Sequence, residues 1–311
     1  MRKHNHWSGI ADAHRGASVA MGNFDGVHLG HQAVIDLARR NDAPLGVITF
    51  EPHPRQFFAP AAPAFRLMNA EARTHRLEKL GVAELYELPF DAALAGMEAE
   101  IFAADVLVGG LGISHITVGA DFCFGKGRKG NADTLRQLGE AHGFGVTISD
   151  LVAFEGKEIS STAIRTALAE GHPRDAARML GHWHRIEGEV LHGDKRGKDL
   201  GFPTANMGVE GLHLPKLGVY AVKADILTGP HAGSYDGAAS LGVRPMFGDN
   251  RPNLETFLFD FTGDLYGEHL SVALVDYLRP EMTFDGLPAL IAQMNADCDR
   301  ARSILAGLGR A

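Results

Sequence analysis

Cysteine is nearly absent from this chain, with Cys123 and Cys298 the two among 311 residues. Placed so far apart, they set up neither a disulfide framework nor a cysteine-based zinc site, and a reducing cytoplasm is the economical assignment. No apolar run reaches the roughly 18 residues of a membrane span. The opening Met1-Arg-Lys-His-Asn-His-Trp7 lacks the apolar core of a signal peptide. Basic charge is also short. Thirty Lys and Arg stand against 38 Asp and Glu, for a net charge of −8. That balance argues against a general nucleic-acid binder, yet it leaves room for a nucleotide site, which needs only a few local donors.

Histidine, by contrast, is plentiful at 16 residues, so a chance His-x-x-His means little by itself. The tetrapeptide His28-Leu29-Gly30-His31 gains meaning from its setting. An apolar strand candidate, Ser18–Met21, breaks into a turn punctuated by Gly22, Gly26 and Gly30, where the backbone must bend tightly or approach a ligand. Asn23 and Asp25 are turn formers. A helical stretch, Gln32–Arg40, follows, with Val34, Ile35, Leu37 and Ala38 spaced for one face. Two imidazoles at a strand-to-helix junction add donors where free N–H groups and the positive helix end already favour phosphate. A metal pair or plain surface is the alternative; the glycines favour the nucleotide.

Length and a 45% hydrophobic content predict two soluble domains. The first half alternates strand candidates (18–21, 45–50, 84–88, 116–118, 146–149) with helical stretches (32–40, 71–80, 99–107, 133–142). Such alternation predicts a parallel sheet with helices on both faces and a ligand at the carboxyl ends of the strands. A helical piece over 161–180 leads to short strands at 185–191, 219–227, 235–243, 254–261 and 270–277. A C-terminal helix over 287–306 closes a small β-barrel or sandwich domain. The boundary falls near 180–183, giving domains 1–182 and 183–311.

Other segments carry candidate chemistry. Thr49-Phe-Glu-Pro-His-Pro-Arg55 reads as an extended loop that could turn Phe50, His53 and Arg55 toward a site, or as a rigid connector. Phe122 and Phe124 alternate after a strand. They form either a core pair or a stacking surface for adenine or isoalloxazine. Ser160, Ser161 and Thr162 open a helix with Arg165 one turn on. Capping explains one hydroxyl; three in a row with Arg165 exceed what a cap needs and suit a second phosphate cradle. The loop His192–Asn206, which includes Gly193 and Lys198, is rich in glycine and cations without Walker A or Rossmann spacing. Its backbone could wrap a triphosphate, and Thr204 and Asn206 offer hard oxygens for Mg²⁺; a solvated hairpin is the plain alternative. Strict alternation puts Glu255, Phe257, Phe259 and Phe261 on one strand face. Glu255 is then a general base toward a hydroxyl or a solvated strand-end carboxylate.

Taken together, these motifs resemble the bacterial bifunctional riboflavin kinase/FMN adenylyltransferases, the FAD synthetases, over nearly the whole chain. The segments Gly22–His31, Thr49–Pro54 and Ile159–Arg165 resemble the adenylyltransferase module. Leu200–Asn206, Gly242–Pro245 and Asp260–Gly267 resemble the flavokinase module. The resemblance implies an α/β Rossmann-like nucleotidyltransferase domain followed by a six-stranded antiparallel β-barrel with a C-terminal helix. It implies ATP contacts at Gly22, Phe24, His28, Gly30, His31, Ser161, Thr162 and Arg165, with His28, His31 and Arg165 serving the chemistry. Asp121, Phe122 and Phe124 would lie near flavin. In the barrel, Gly193, Lys198, Thr204 and Asn206 would meet ATP, Thr204 and Asn206 would also meet Mg²⁺, and Glu255 would be the base beside riboflavin. ATP, riboflavin and FMN are the implied partners, with FMN and FAD as substrate and products and no nucleic acid or membrane. A kinase-only protein and a non-catalytic flavin-binding regulator are the other readings. Met246, where the family often has Thr, and Phe257, where it often has His, depart from the pattern, and the stretch Asp91–Gly112 is atypical.

Overall fold

Strand β2 (Ser18–Met21) buries every side chain, as a parallel strand covered on both faces must. It belongs to a sheet with β1 (Arg2–His4), β3 (Leu45–Glu51), β4 (Glu84–Pro89) and β5 (His115–Gly119). A short hairpin of β6 (Cys123–Phe124) and β7 (Gly130–Asn131) precedes the sixth member, β8 (Gly145–Ser149). All pairings in the sheet are parallel and the order is β1-β4-β3-β2-β5-β8. The winding direction therefore reverses beside β2, whose carboxyl end carries the Gly22–His28 turn. The computed structural model describes residues 1–150, 153–154, 157–192, 201–246 and 249–308. A second small hairpin joins β9 (Ala153–Phe154) to β10 (Lys157–Glu158).

By its internal contacts the chain forms two compact units, Met1–Pro63 with Arg73–Ile159 and Ala64–Ala72 with Ser160–Ala311. The core of the first gathers Val19, Met21, Ile48, Tyr86, Leu107 and Val118.

The second unit is built on β11 (Arg185–Glu189), β12 (Ala205–Gly208), β13 (Gly218–Ile226), β14 (Gly233–Met246), β15 (Asp249–Leu258) and β16 (His269–Arg279). They pair antiparallel throughout in the order β11-β16-β13-β14-β15-β12. Beyond β11 the Leu191 N–H donates to the Asn206 carbonyl at 2.8 Å, and this bridge nearly closes the six strands into a barrel. The predicted barrel with its C-terminal helix is thus present, the helix running Leu287–Ala306. That helix sets Ala301 and Leu305 against Val219, Ala221, Phe259 and Val275 on the outer barrel face. Arg279 clamps it through two oxygens of buried Asp297, at 3.0 and 2.7 Å. This paired geometry adds orientation as well as attraction.

Several local expectations need correction. The helical piece over 161–180 is two helices, Ser161–Glu170 and Pro173–Leu180. Gly171 ends the first at φ +85°, and Pro173 has no N–H to continue it but suits the first position of the next. The stretch predicted as one α-helix over 99–107 is α-helical at Ala99–Ile101 and then π-helical over Phe102–Leu111. Leu37 is exposed rather than on the buried face with Ile35 and Ala38. The segment after Glu51 is no extended loop. Pro54 opens the short helix Pro54–Phe58, since a proline ring already holds a helical φ. Strands β1 and β12 were not expected at all.

Candidate active sites

The first site starts from the turn after β2. Phe24, Gly26 and Val27 all take positive φ, at 51°, 85° and 42°, so the chain coils tightly before the helix Leu29–Leu37. His28 caps that helix, its Nδ1 accepting the His31 N–H at 3.3 Å. The two rings stack with centroids 3.6 Å apart and planes 17° from parallel, and Phe24 meets His31 edge-on. Gly30 makes this possible. A Cβ there would stand 3.1 Å from Cε1 and Nδ1 of the His28 ring.

Burial, and then the neighbouring His28, holds the His31 pKa well below the usual imidazole range. His31 is therefore neutral at neutral pH, and its Nδ1 is buried with no hydrogen-bond partner among the described residues. What this turn offers an anion is N–H groups and the helix end rather than an imidazolium at His31. Gly22 lies directly beyond β2.

Below this turn Arg73, almost wholly buried, binds Glu51 at 2.9 Å and Glu87 at 2.7 Å. Its Nη1 reaches the Asn23 carbonyl at 3.4 Å, which also accepts from the Thr49 hydroxyl at 3.2 Å. Burial alone would raise Glu87, but hydrogen bonds from Lys3 and Arg73 outweigh it and hold the carboxyl below its usual range. Sequence reasoning missed Arg73, which shares a helical stretch with Arg76 and has no motif around it. His53 proves to be a capping residue, its Nδ1 accepting the Arg55 N–H at 3.0 Å.

Phe124 is buried in the core of the first unit, stacked on half-buried Phe122 at 5.8 Å. Phe124 thus takes the core place, with half-buried Phe122 against it and Asp121 exposed. In the second unit Ser160, not Ser161 or Thr162, caps its helix, accepting the Ala163 N–H at 3.2 Å. Ser161 is half-buried and Thr162 exposed. Arg165 donates from Nε to the Phe65 carbonyl at 2.6 Å and lies 5.4 Å from that ring's centroid.

The barrel carries the other site. Register opposes Glu255 to Asn206 on β12 and to Ser240 on β14, so the three share one row on the face away from the barrel core. Leu254, Thr256 and Leu258 point the other way and are buried. Asn253 Nδ2 donates to Asn206 Oδ1 at 3.4 Å and to Glu255 Oε1 at 3.3 Å. The Asn206 amide donates in turn to the Thr204 carbonyl at 3.3 Å. Asn253 was not singled out in the sequence, although its place two residues before Glu255 is the signal that would have found it. Phe257 shares the Glu255 face and meets Phe202 edge-on at 5.3 Å. Phe261 does not. Asp260 turns the chain at φ +56°, and Phe261 packs with the barrel core instead. Gly193 and Lys198 lie outside the described residues.

Among the described residues no helix is long and apolar enough to cross a membrane. Residues 10–163 match the FAD synthetase family and residues 180–305 the riboflavin kinase family. A bifunctional riboflavin kinase/FMN adenylyltransferase of Pseudomonas fluorescens is 42% identical over 94% of both chains. One from Escherichia coli K12 is 37% identical over 91% of this chain and 90% of its own. A crystal structure described as a macrolide-efflux protein from Streptococcus pneumoniae has a TM-score of 0.81 at 31% identity. It covers 97% of this chain and 98% of its own. With two family matches in tandem and relatives aligned end to end, the chain belongs to the bifunctional riboflavin kinase/FMN adenylyltransferase family.

Proposed function

We propose that this chain phosphorylates riboflavin to FMN with ATP and then adenylylates FMN to FAD. In sequence terms we assign adenylyl transfer to residues 1–182 and phosphorylation to 183–311. The observation that carries the kinase half is the row Asn206, Glu255 and Ser240, with Asn253 bridging its acid and amide. Glu255 accepts the proton of the ribityl 5′-hydroxyl as that oxygen attacks the γ-phosphorus of ATP, and ADP leaves. Asn253 fixes the carboxylate by its amide hydrogen, so the base is oriented before substrate arrives. Thr204 and Asn206 fit Mg²⁺ because the donor set is hard oxygen, with Asn206 held in place by its own two hydrogen bonds. The ion, arriving with ATP, neutralises charge on the phosphates.

For adenylyl transfer the FMN phosphate oxygen attacks the α-phosphorus of ATP and pyrophosphate leaves. The attacker is already an anion, so no base is required. His28 and His31 at the helix end supply hydrogen-bond donors to the phosphates, with Gly22, Phe24 and Gly30 shaping the turn. Ser161, Thr162 and Arg165 are proposed as further ATP contacts on their motif, and Asp121 and Phe122 as flavin contacts. The need for ATP in both steps supports a cytoplasmic location.

The test is direct. Purified protein is incubated with riboflavin and Mg·ATP, and the products are resolved by chromatography. FMN and then FAD should accumulate. FMN alone would leave a kinase, and neither product would leave a flavin-binding regulator. Undiminished FAD synthesis by a His28→Ala/His31→Ala variant would sink the adenylyl assignment.

A further inference from the structure

Three metal-ligating side chains from distant parts of the first unit converge away from the Gly22–His28 turn. Edge strand β1 pairs in parallel with β4, opposing Arg2 to Glu84 and His4 to Tyr86. Residues two apart share a face, so Glu84 and Tyr86 both stand on the side that His4 occupies. His14 arrives from the 3₁₀ turn Asp12–His14 in the connection to β2. His4 Nε2 lies 2.7 Å from one Glu84 oxygen and His14 Nδ1 lies 2.9 Å from the other. The three ligand atoms all fall within 4.8 Å of one another. Glu84 is buried and the two histidines partly so.

We propose that His4, His14 and Glu84 form a binding site for a divalent transition metal, with Zn²⁺ the ion it suits best. Two imidazoles and one carboxylate make a three-ligand set that leaves further positions for water. Tetrahedral coordination with Zn–N and Zn–O bonds of about 2.0–2.1 Å sets neighbouring ligand atoms about 3.3 Å apart. The present 2.7 and 2.9 Å contacts run to different oxygens of Glu84, so the contact to the ligating oxygen opens and the other histidine swings onto the same ion. Metal binding requires the free lone pair of His4 Nε2 and of His14 Nδ1, with any ring proton on the other nitrogen, and an ionised Glu84.

The surroundings hold both rings in place. Tyr86 stacks on His4 at 5.1 Å with planes 20° apart, and its hydroxyl donates to the His14 carbonyl at 2.9 Å. Such outer contacts orient metal ligands. Glu84 opens β4, so the site sits toward the amino ends of the strands, opposite the end at which ligands of parallel sheets bind. Its role is to pin the edge strand β1 to β4, not to take part in catalysis. Imidazole ligands also discriminate against Mg²⁺, so the ion that accompanies ATP does not fill the site.

The experiment uses the full chain without a histidine tag, stripped with a chelator and then freed of it. Zn²⁺ is titrated calorimetrically with excess Mg²⁺ present, and Co²⁺ is added separately to read its visible ligand-field bands. The expected result is one equivalent of Zn²⁺ bound at micromolar affinity or tighter. His4→Ala, His14→Ala and Glu84→Gln should each weaken it at least about tenfold. Zn²⁺ should raise the Tm of the parent and leave that of His4→Ala unmoved. FAD formation from added FMN, assigned above to the Gly22–His31 site of the same first unit, reports that each variant is folded. Absence of binding in the parent would overturn the proposal. So would binding that survives His4→Ala and His14→Ala but is lost in His28→Ala/His31→Ala.

Discussion

Replacing Gly30 by alanine tests the first site without touching either imidazole. The added Cβ would lie 3.1 Å from two atoms of the His28 ring, closer than ordinary contact, so the ring must swing away by several tenths of an ångström. That movement strains the cap in which Nδ1 accepts the His31 N–H at 3.3 Å and disturbs the 3.6 Å stack. Losing such a cap costs about 1 kcal/mol. Alanine regains up to about 1 kcal/mol over glycine in a helix, so stability should stay within about 1 kcal/mol of the parent. Catalysis has no such offset. A donor misplaced near the phosphates costs on the order of 10²-fold in rate. With FMN and Mg·ATP supplied, FAD formation by Gly30→Ala should fall about 100-fold, while FMN formation from riboflavin stays at the parent rate. Parent-like FAD synthesis would refute the dependence on His28 placement. A parallel fall in both products would mean that the fold, not the site, had been damaged.

Glu255→Gln should abolish FMN formation by about 10²–10⁴-fold and leave FAD synthesis from added FMN intact, read on the same chromatogram. Arg73→Met strands Glu51 and Glu87 without their shared partner. Lys3 still holds Glu87 at 2.6 Å, so a loss of about 3 kcal/mol is expected in a urea melt. His184 gives a pH signature. Burial above all lowers its pKa from 6.5 to about 4, against a smaller raising effect of the Leu67 carbonyl. The unfolded histidine takes up a proton first. Stability is thus complete above about pH 6.5 and falls by roughly 3 kcal/mol as the pH drops to about 4. His184→Gln should flatten that slope, and an unchanged slope in urea titrations from pH 4 to 7 would contradict it.

Much of this was legible in the sequence because burial writes itself into composition. Strands covered on both faces, such as Ser18–Met21, read as apolar runs. β1 did not, because Arg-Lys-His at a sheet edge carries no apolar run, and β12 was hidden because Pro-Thr-Ala-Asn reads as a loop. The π-helix over 102–111 leaves no distinct mark, since a shift of one residue in hydrogen bonding does not change which residues are apolar. His28 and His31 were visible as a pair. The neutrality of His31 was not, because it follows from burial and then from the nearness of His28. Glu255 and Asn206 were each visible, but their opposition depends on strand register, and side-chain hydrogen bonds revealed Asn253. The face assigned to Phe261 failed because alternation holds only while the backbone stays extended, and Asp260 ends that.

The nonapeptide Ala64–Ala72 belongs in space with residues 160–311, although residues 73–159 separate it from them in the chain. Leu67 fills the core between Ile164, Leu168, Ala176 and Leu180, and its carbonyl serves His184 at 3.0 Å. Asn69 binds the Glu187 carbonyl at 2.9 Å and Glu71 binds His269 at 2.8 Å. Recombination at a single crossover, whether at residue 160 or at 183, therefore cannot exchange the second unit whole. A chimera cut at 160 would inherit its helix pair from one parent and the plug for that pair from the other. Residues 64–72 and 160–180 must then change together in evolution, and grafts between relatives will succeed when this insert travels with the barrel.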